Sequence, residues 1–135
     1  MLDLAIACRE RHEQFIRRVA RTKVVWGLKS QGGWATCPSN EEDNNGKTAD
    51  VLVFWSDRAY AQRCVVEGWE QYEAEEIPLD EFIDRWLPGM AGDGVLAGTN
   101  WTAKLIGLEV DPLTLGDELI AELKKAPATQ KEADP

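Results

Sequence analysis

Val24-Val25-Trp26-Gly27-Leu28-Lys29-Ser30-Gln31-Gly32-Gly33-Trp34-Ala35-Thr36-Cys37 is the stretch whose reading decides the fold. Val24, Trp26 and Leu28 alternate with Val25, Gly27 and Lys29, which is the two-residue period of a strand. Ser30-Gln31-Gly32 is turn-forming, and Gly33 to Cys37 returns, so the stretch predicts a β-hairpin. Downstream, the apolar run Val51 to Trp55 predicts a buried strand, and Glu70 to Ile77 a strand with an acidic exposed face. Val95 to Gly98 and Lys104 to Val110 predict a second hairpin across Thr99-Asn100-Trp101. Strands joined by connections this short lie side by side and antiparallel. The expected fold is α+β: a mostly antiparallel sheet with helices packed on it.

Working outward, Asp3 to Arg21 reads as an amphipathic helix, with Leu4, Cys8, His12, Phe15 and Val19 spaced by three or four residues. Pro38 to Asp50 is polar and turn-rich and reads as a loop. Ser56 is the expected N-cap of a helix whose buried face holds Tyr60, Ala61, Cys64 and Val65, ended by Gly68. Asp80 to Leu87 reads as a helix stopped by Pro88-Gly89. Asp111-Pro112 starts the last helix, which carries Leu115, Leu119, Ile120 and Leu123. The expected organisation is one domain over residues 1–125 and a flexible C-terminal tail over 126–135.

The 135 residues carry a formal net charge of −9, unevenly spread. Residues 1–29 hold seven Lys/Arg against three acids, a net of +4 that leaves −13 for the rest. Cys64 to Asp84 holds eight acids and no base. Such a surface repels phosphate backbones, so no nucleic-acid partner is expected, and Arg11, Arg17, Arg18 and Arg21 should meet solvent or the protein's own acids. No stretch reaches the roughly 20 apolar residues of a membrane helix, and the first residues show no signal core. Three cysteines without a close pair argue against a disulfide framework, so a cytoplasmic setting is expected.

Four groups of residues could carry chemistry. Cys8 and His12 share a helix face and, with Cys37 and Cys64, could ligate zinc, but there is no C-x-x-C and free cysteine is commonly a small core hydrophobe. A Cys–His nucleophile and base would need a third orienting group that the sequence does not identify. The acids from Glu67 to Asp84 could include a catalytic pair, but acids this dense usually form a solvated face. No phosphate-binding glycine motif, nucleophile elbow or H-E-x-x-H is present. No catalytic residue, metal site or cofactor is therefore expected. Of six tryptophans, Trp101 alone falls at an expected loop tip, where an exposed aromatic suits partner binding. Asn100 and Trp101 are accordingly the expected partner-binding residues.

Several strings occur together in order: Val53-Phe54-Trp55-Ser56-Asp57 with Tyr60-Ala61, Gly68-Trp69 with Tyr72, and Ile77 with Leu79 and Phe82. They continue with Leu87-Pro88-Gly89-Met90, Asp93-Gly94-Val95-Leu96 with Gly98, Asn100-Trp101, and Gly107-Leu108-Glu109-Val110 with Pro112. From Leu4 to Leu123 the chain resembles the bacterial domain of unknown function family 2750. The resemblance implies a small bacterial cytosolic protein and no particular reaction, so it supplies no catalytic residues.

The function expected is that of a non-enzymatic, acidic binding or interaction protein with an unknown protein partner. One version is an immunity-like antagonist that covers a basic partner, since acidic surfaces speed such association. The alternative is a small-ligand-binding protein or an enzyme with a cysteine or carboxylate site, which a pocket with convergent polar groups would favour.

Overall fold

The computed structural model describes residues 4–42, 45–66 and 68–133, apart from the side chains of Asn40 and 126–133. Its elements are α1 (Leu4–Thr22), β1 (Val24–Ser30), β2 (Gly33–Trp34), β3 (Thr36–Glu42), β4 (Thr48–Phe54), α2 (Arg58–Gln62) and β5 (Glu73–Pro78). They continue with α3 (Leu79–Glu81), a π-helical turn (Phe82–Trp86), α4 (Leu87–Asp93), β6 (Leu96–Thr99), β7 (Leu108–Val110) and α5 (Pro112–Ala133). The α+β class is as expected. The tail expected over 126–135 begins within α5; its side chains, and residues 134–135 altogether, lie outside the described residues.

The hairpin of β1 and β2 forms, but it is short. Lys29 pairs with Trp34 and Ser30 with Gly33, Ala35 N–H still donates to Leu28 O at 2.9 Å, and then the chain departs. In that register Cys37 would have faced Trp26. Instead Trp55 takes the place: Trp26 N–H donates to Trp55 O at 2.8 Å and Trp55 N–H to Trp26 O at 2.7 Å. The displaced segment crosses into a second sheet as β3. The strands therefore fall into two sheets, β2-β1-β5 and β3-β4-β6-β7, joined at the Trp26–Trp55 bridge. All pairings are antiparallel except β4 with β6, which run parallel from Val51↔Leu96 to Phe54↔Thr99.

Three expectations are corrected. The loop expected over Pro38 to Asp50 is largely strand: β3 pairs with β4 at Thr36↔Leu52, Cys37↔Val51 and Pro38↔Asp50, with a shift in register before Glu42↔Thr48. β3 is an edge strand, and an edge tolerates both Pro38 and a polar sequence because one side of its backbone needs no partner. Pro88 does not stop its helix. The preceding π-helical turn, in which Leu87 N–H donates back five residues to Phe82 O, leaves Pro88 in the first turn of α4, where its missing N–H costs little. The helix ends at Gly94, whose φ of 70° is the left-handed conformation glycine adopts freely. Finally, Asp57 rather than Ser56 caps α2, and its side chain makes no capping bond because it is held by Arg18 (2.6 Å) and Ser56 Oγ (3.0 Å).

β4 sits at the centre of the packing. One face of the fold gathers Phe15, Val19, Val25, Phe54, Ile77, Phe82, Leu87, Leu115 and Leu119 beneath α1, α4 and α5. The other gathers Leu28, Val51, Val53, Trp55, Ala61, Cys64 and Trp101 beneath α2. Val51 and Val53 point one way and Phe54 the other, so both faces of β4 are covered and it reads as an unbroken apolar run.

Candidate functional site

The expected site residues, Asn100 and Trp101, directly follow β6 and are buried, while Ala103, Lys104 and Ile106 beyond them are exposed. Trp101 is only 4% accessible and belongs to the core under α2, which corrects the expectation of a loop-tip aromatic. Its indole N–H donates to Leu108 O at 2.9 Å, and its own carbonyl accepts the Trp55 indole N–H at 3.0 Å. Two glycines make the room. A Cβ at Gly98 would lie 2.6 Å from the Trp101 ring, and one at Gly107 would collide with it. The loop therefore folds its tryptophan back against the sheet, and the glycines of the expected hairpin serve that close approach.

Asn100 is equally engaged. Its φ of 49° lies in the left-handed region, which Asn tolerates better than most residues. Its Oδ1 accepts from Ser56 N–H at 2.8 Å, and its Nδ2 donates to Ser56 Oγ at 3.1 Å and to Arg11 O at 3.4 Å. Asn100 thus ties the end of β6 to the start of the α2 region and to α1.

One residue earlier, Thr99 enters a second arrangement. His12 on α1 is 1% accessible; its Nδ1 lies 2.8 Å from Thr99 Oγ1 and its Nε2 2.9 Å from Glu118 Oε1 on α5. With the proton on Nε2 facing the carboxylate, Nδ1 accepts from the threonine hydroxyl. This hydroxyl–imidazole–carboxylate chain has the order of a nucleophilic triad. Thr99, however, is fully buried, so its hydroxyl meets no substrate. The chain's physical effect is to satisfy two buried polar groups where α1, α5 and β6 meet.

Among the described residues, the side-chain hydrogen-bond partners of His12 are Thr99 and Glu118 and not a thiol. Cys64 Sγ contacts Thr102 O at 3.4 Å and Trp101 O at 3.8 Å. Burial pushes its pKa up to about 11, and burial also raises Cys37. Both thiols are thereby held in their less reactive protonated form. Among the described residues no three His, Cys, Asp or Glu side chains come together as metal ligands.

On the other side of Asn100 lies an open cleft of about 270 Å³, bounded by Arg11 and Gln14 of α1, Tyr60 and Arg63 of the α2 region, and Asn100 to Ala103. The expected residues Asn100 and Trp101 form part of its wall rather than a protruding tip. Arg63 stacks its guanidinium over the Tyr60 ring, 4.6 Å from the centroid, and Gln14 Nε2 donates to Tyr60 Oη at 3.4 Å. Arg11 donates to Ala7 O at 3.3 Å. Among the described residues, Arg18 with Asp57 is the ion pair that joins the basic face of α1 to the α2 region; no such pair involves Arg11 or Arg63. The cleft residues Gln14, Tyr60 and Arg63 were not singled out as a site by sequence reasoning. The i, i+3 spacings Arg11–Gln14 and Tyr60–Arg63 were a visible signal, but nothing local says that the two pairs face each other.

No helix among the described residues is long and apolar enough to cross a membrane. A family model described as "Protein of unknown function (DUF2750)" matches residues 12–119. That span includes Tyr60, Arg63, Asn100 and Trp101, and begins immediately after Arg11. No curated protein and no solved structure matches the chain.

Proposed function

The chain belongs to the DUF2750 family, described as proteins of unknown function, and we propose that it is a non-enzymatic binding protein whose ligand enters the cleft beside Asn100 and Trp101. The observation that carries this reading is the cleft's lining. It offers guanidinium, amide, phenol and hydroxyl groups for recognition and, among the described residues, no carboxylate, imidazole or thiol that would move a proton near neutral pH. The groups that could do such work lie elsewhere: Thr99 is sealed, and burial holds the Cys64 thiol protonated. Its volume suits a small ligand or one side chain of a larger partner. The three free cysteines support a reducing, cytoplasmic setting.

The test is a ligand screen followed by backbone amide NMR on the full chain, with anionic, neutral and cationic small molecules. At least one class should shift the amides of Asn100 to Ala103 without shifting those around Thr99 and Glu118. No perturbation at the cleft, or turnover of a screened compound, would contradict the reading.

A second reading rests on the acid-rich edge. β5 lies at the outer side of its sheet, and Glu73, Glu75 and Glu76 along it, with Asp80, Glu81 and Asp84 beyond, are all exposed. Such an edge repels another strand, and it would also attract a basic protein, as an immunity-like antagonist requires.

A further inference from the structure

We infer that the cleft is an oxyanion site, taking a small molecule through its carboxylate or phosphate group; this rests on the binding reading above and specifies its ligand. The protein has 24 acids against 15 Lys/Arg, so a surface recess drawn without preference would include carboxylates. Among the described residues, this one is bounded by two arginines and by no Asp or Glu. Arg11 and Arg63 come from positions 52 residues apart in sequence, so helix periodicity alone does not bring them together.

The remaining lining is suited to an anion. Arg63 is braced by its stacking on Tyr60, which leaves the planar edge of the guanidinium free to meet two oxygens at once. Gln14 is positioned by the same phenol, and Thr102, whose Oγ1 accepts from the Lys104 and Ile106 N–H groups, lies in the lining. Asn100 contributes through its carbonyl-bound amide: by holding Arg11 O it fixes the α1 turn from which Arg11 projects. Glu10 and Glu13 of α1 border a neighbouring groove together with Arg11 and Gln14. They lower the field at Arg11, so Arg63 is the stronger anchor. A volume of about 270 Å³ lies below the usual span of about 300–1,000 Å³ for drug-sized ligands, which points to a metabolite-sized oxyanion.

The experiment titrates the full chain with inorganic phosphate, with citrate as the carboxylate probe, and with glycerol and ethanolamine as neutral and cationic controls, following the cleft amides by NMR. Wild type should bind phosphate or citrate with a dissociation constant on the order of 1 mM and weaken as salt rises. Preference between the two anions assigns the source of the oxyanion. Arg63→Gln should weaken binding by about ten-fold or more, and Arg11→Gln by less, because each removes a charge-assisted contact. Both side chains reach solvent, and thermal melts of each variant check that the fold persists. If glycerol or ethanolamine shifts the cleft and neither anion does, the oxyanion assignment is wrong while the binding reading stands. Shifts from none of the four would overturn the oxyanion assignment, and the binding reading would fall only if the broader screen were also silent. Anion binding that survives in the double variant would likewise overturn the assignment.

Discussion

Arg11 and His12 are consecutive on α1, and Thr99 and Asn100 are consecutive at the end of β6, yet the two pairs build different things. His12 and Thr99 turn inward and join Glu118 in a closed chain of hydrogen bonds. Arg11 turns outward and, across Asn100, borders an open cleft with Arg63. The inward arrangement has the residue types of an active site around a hydroxyl sealed in the core, although His12 and Glu118 border a surface recess; the outward one is open and, among the described residues, offers no carboxylate, imidazole or thiol. Residue type alone would have chosen the first. Burial, which is a property of the fold, chooses the second.

The largest expected effect falls at the buried residue that walls the cleft. Trp101→Ala removes an indole packed between Gly98 and Gly107 and should cost about 3–5 kcal/mol, read as a lowered urea midpoint. A midpoint equal to wild type would mean that Trp101 is an exposed contact after all, and that the cleft wall is not rigid. The next effect is smaller and confined to the inward side. His12→Ala leaves the Thr99 hydroxyl buried without its partner, at about 1–3 kcal/mol. Glu118, whose side chain is 37% accessible, can turn to water. The variant should keep its ligand response at temperatures where it remains folded. Loss of response in a folded His12→Ala protein would join the two regions into one site and break the comparison.

Much of the fold was legible because its local signals and its packing agree. The α1 stripe from Cys8 to Val19 and the apolar run of β4 faced the core as read, whereas Leu4 at the head of that stripe is exposed. The hairpin was legible only to Trp34, since nothing in its own sequence announces that Trp55 will take the backbone groups of Trp26. β3 was hidden by composition: an edge strand can be as polar as a loop. Pro88 misled because its usual effect as a helix stop was cancelled by a π-helical turn. Asn100 and Trp101 do border the cleft, but their exposure was inferred from a two-strand hairpin with a short tip. In fact β7 starts only at Leu108, and the longer return lets the indole fold inward. The partnership of Arg11 with Arg63 is a long-range fact that no local pattern encodes.

The smallest stability effect tests the central claim most directly: that the outward arginines are kept for a ligand while the inward chain serves the fold. The measurement is urea denaturation of the Arg11→Gln/Arg63→Gln double variant beside wild type, without ligand. Neither guanidinium is paired with a described carboxylate, so the two unfolding free energies should agree to within about 0.5 kcal/mol. A double variant destabilised by several kcal/mol would show that these arginines hold the structure together, and the cleft would then be part of the scaffold.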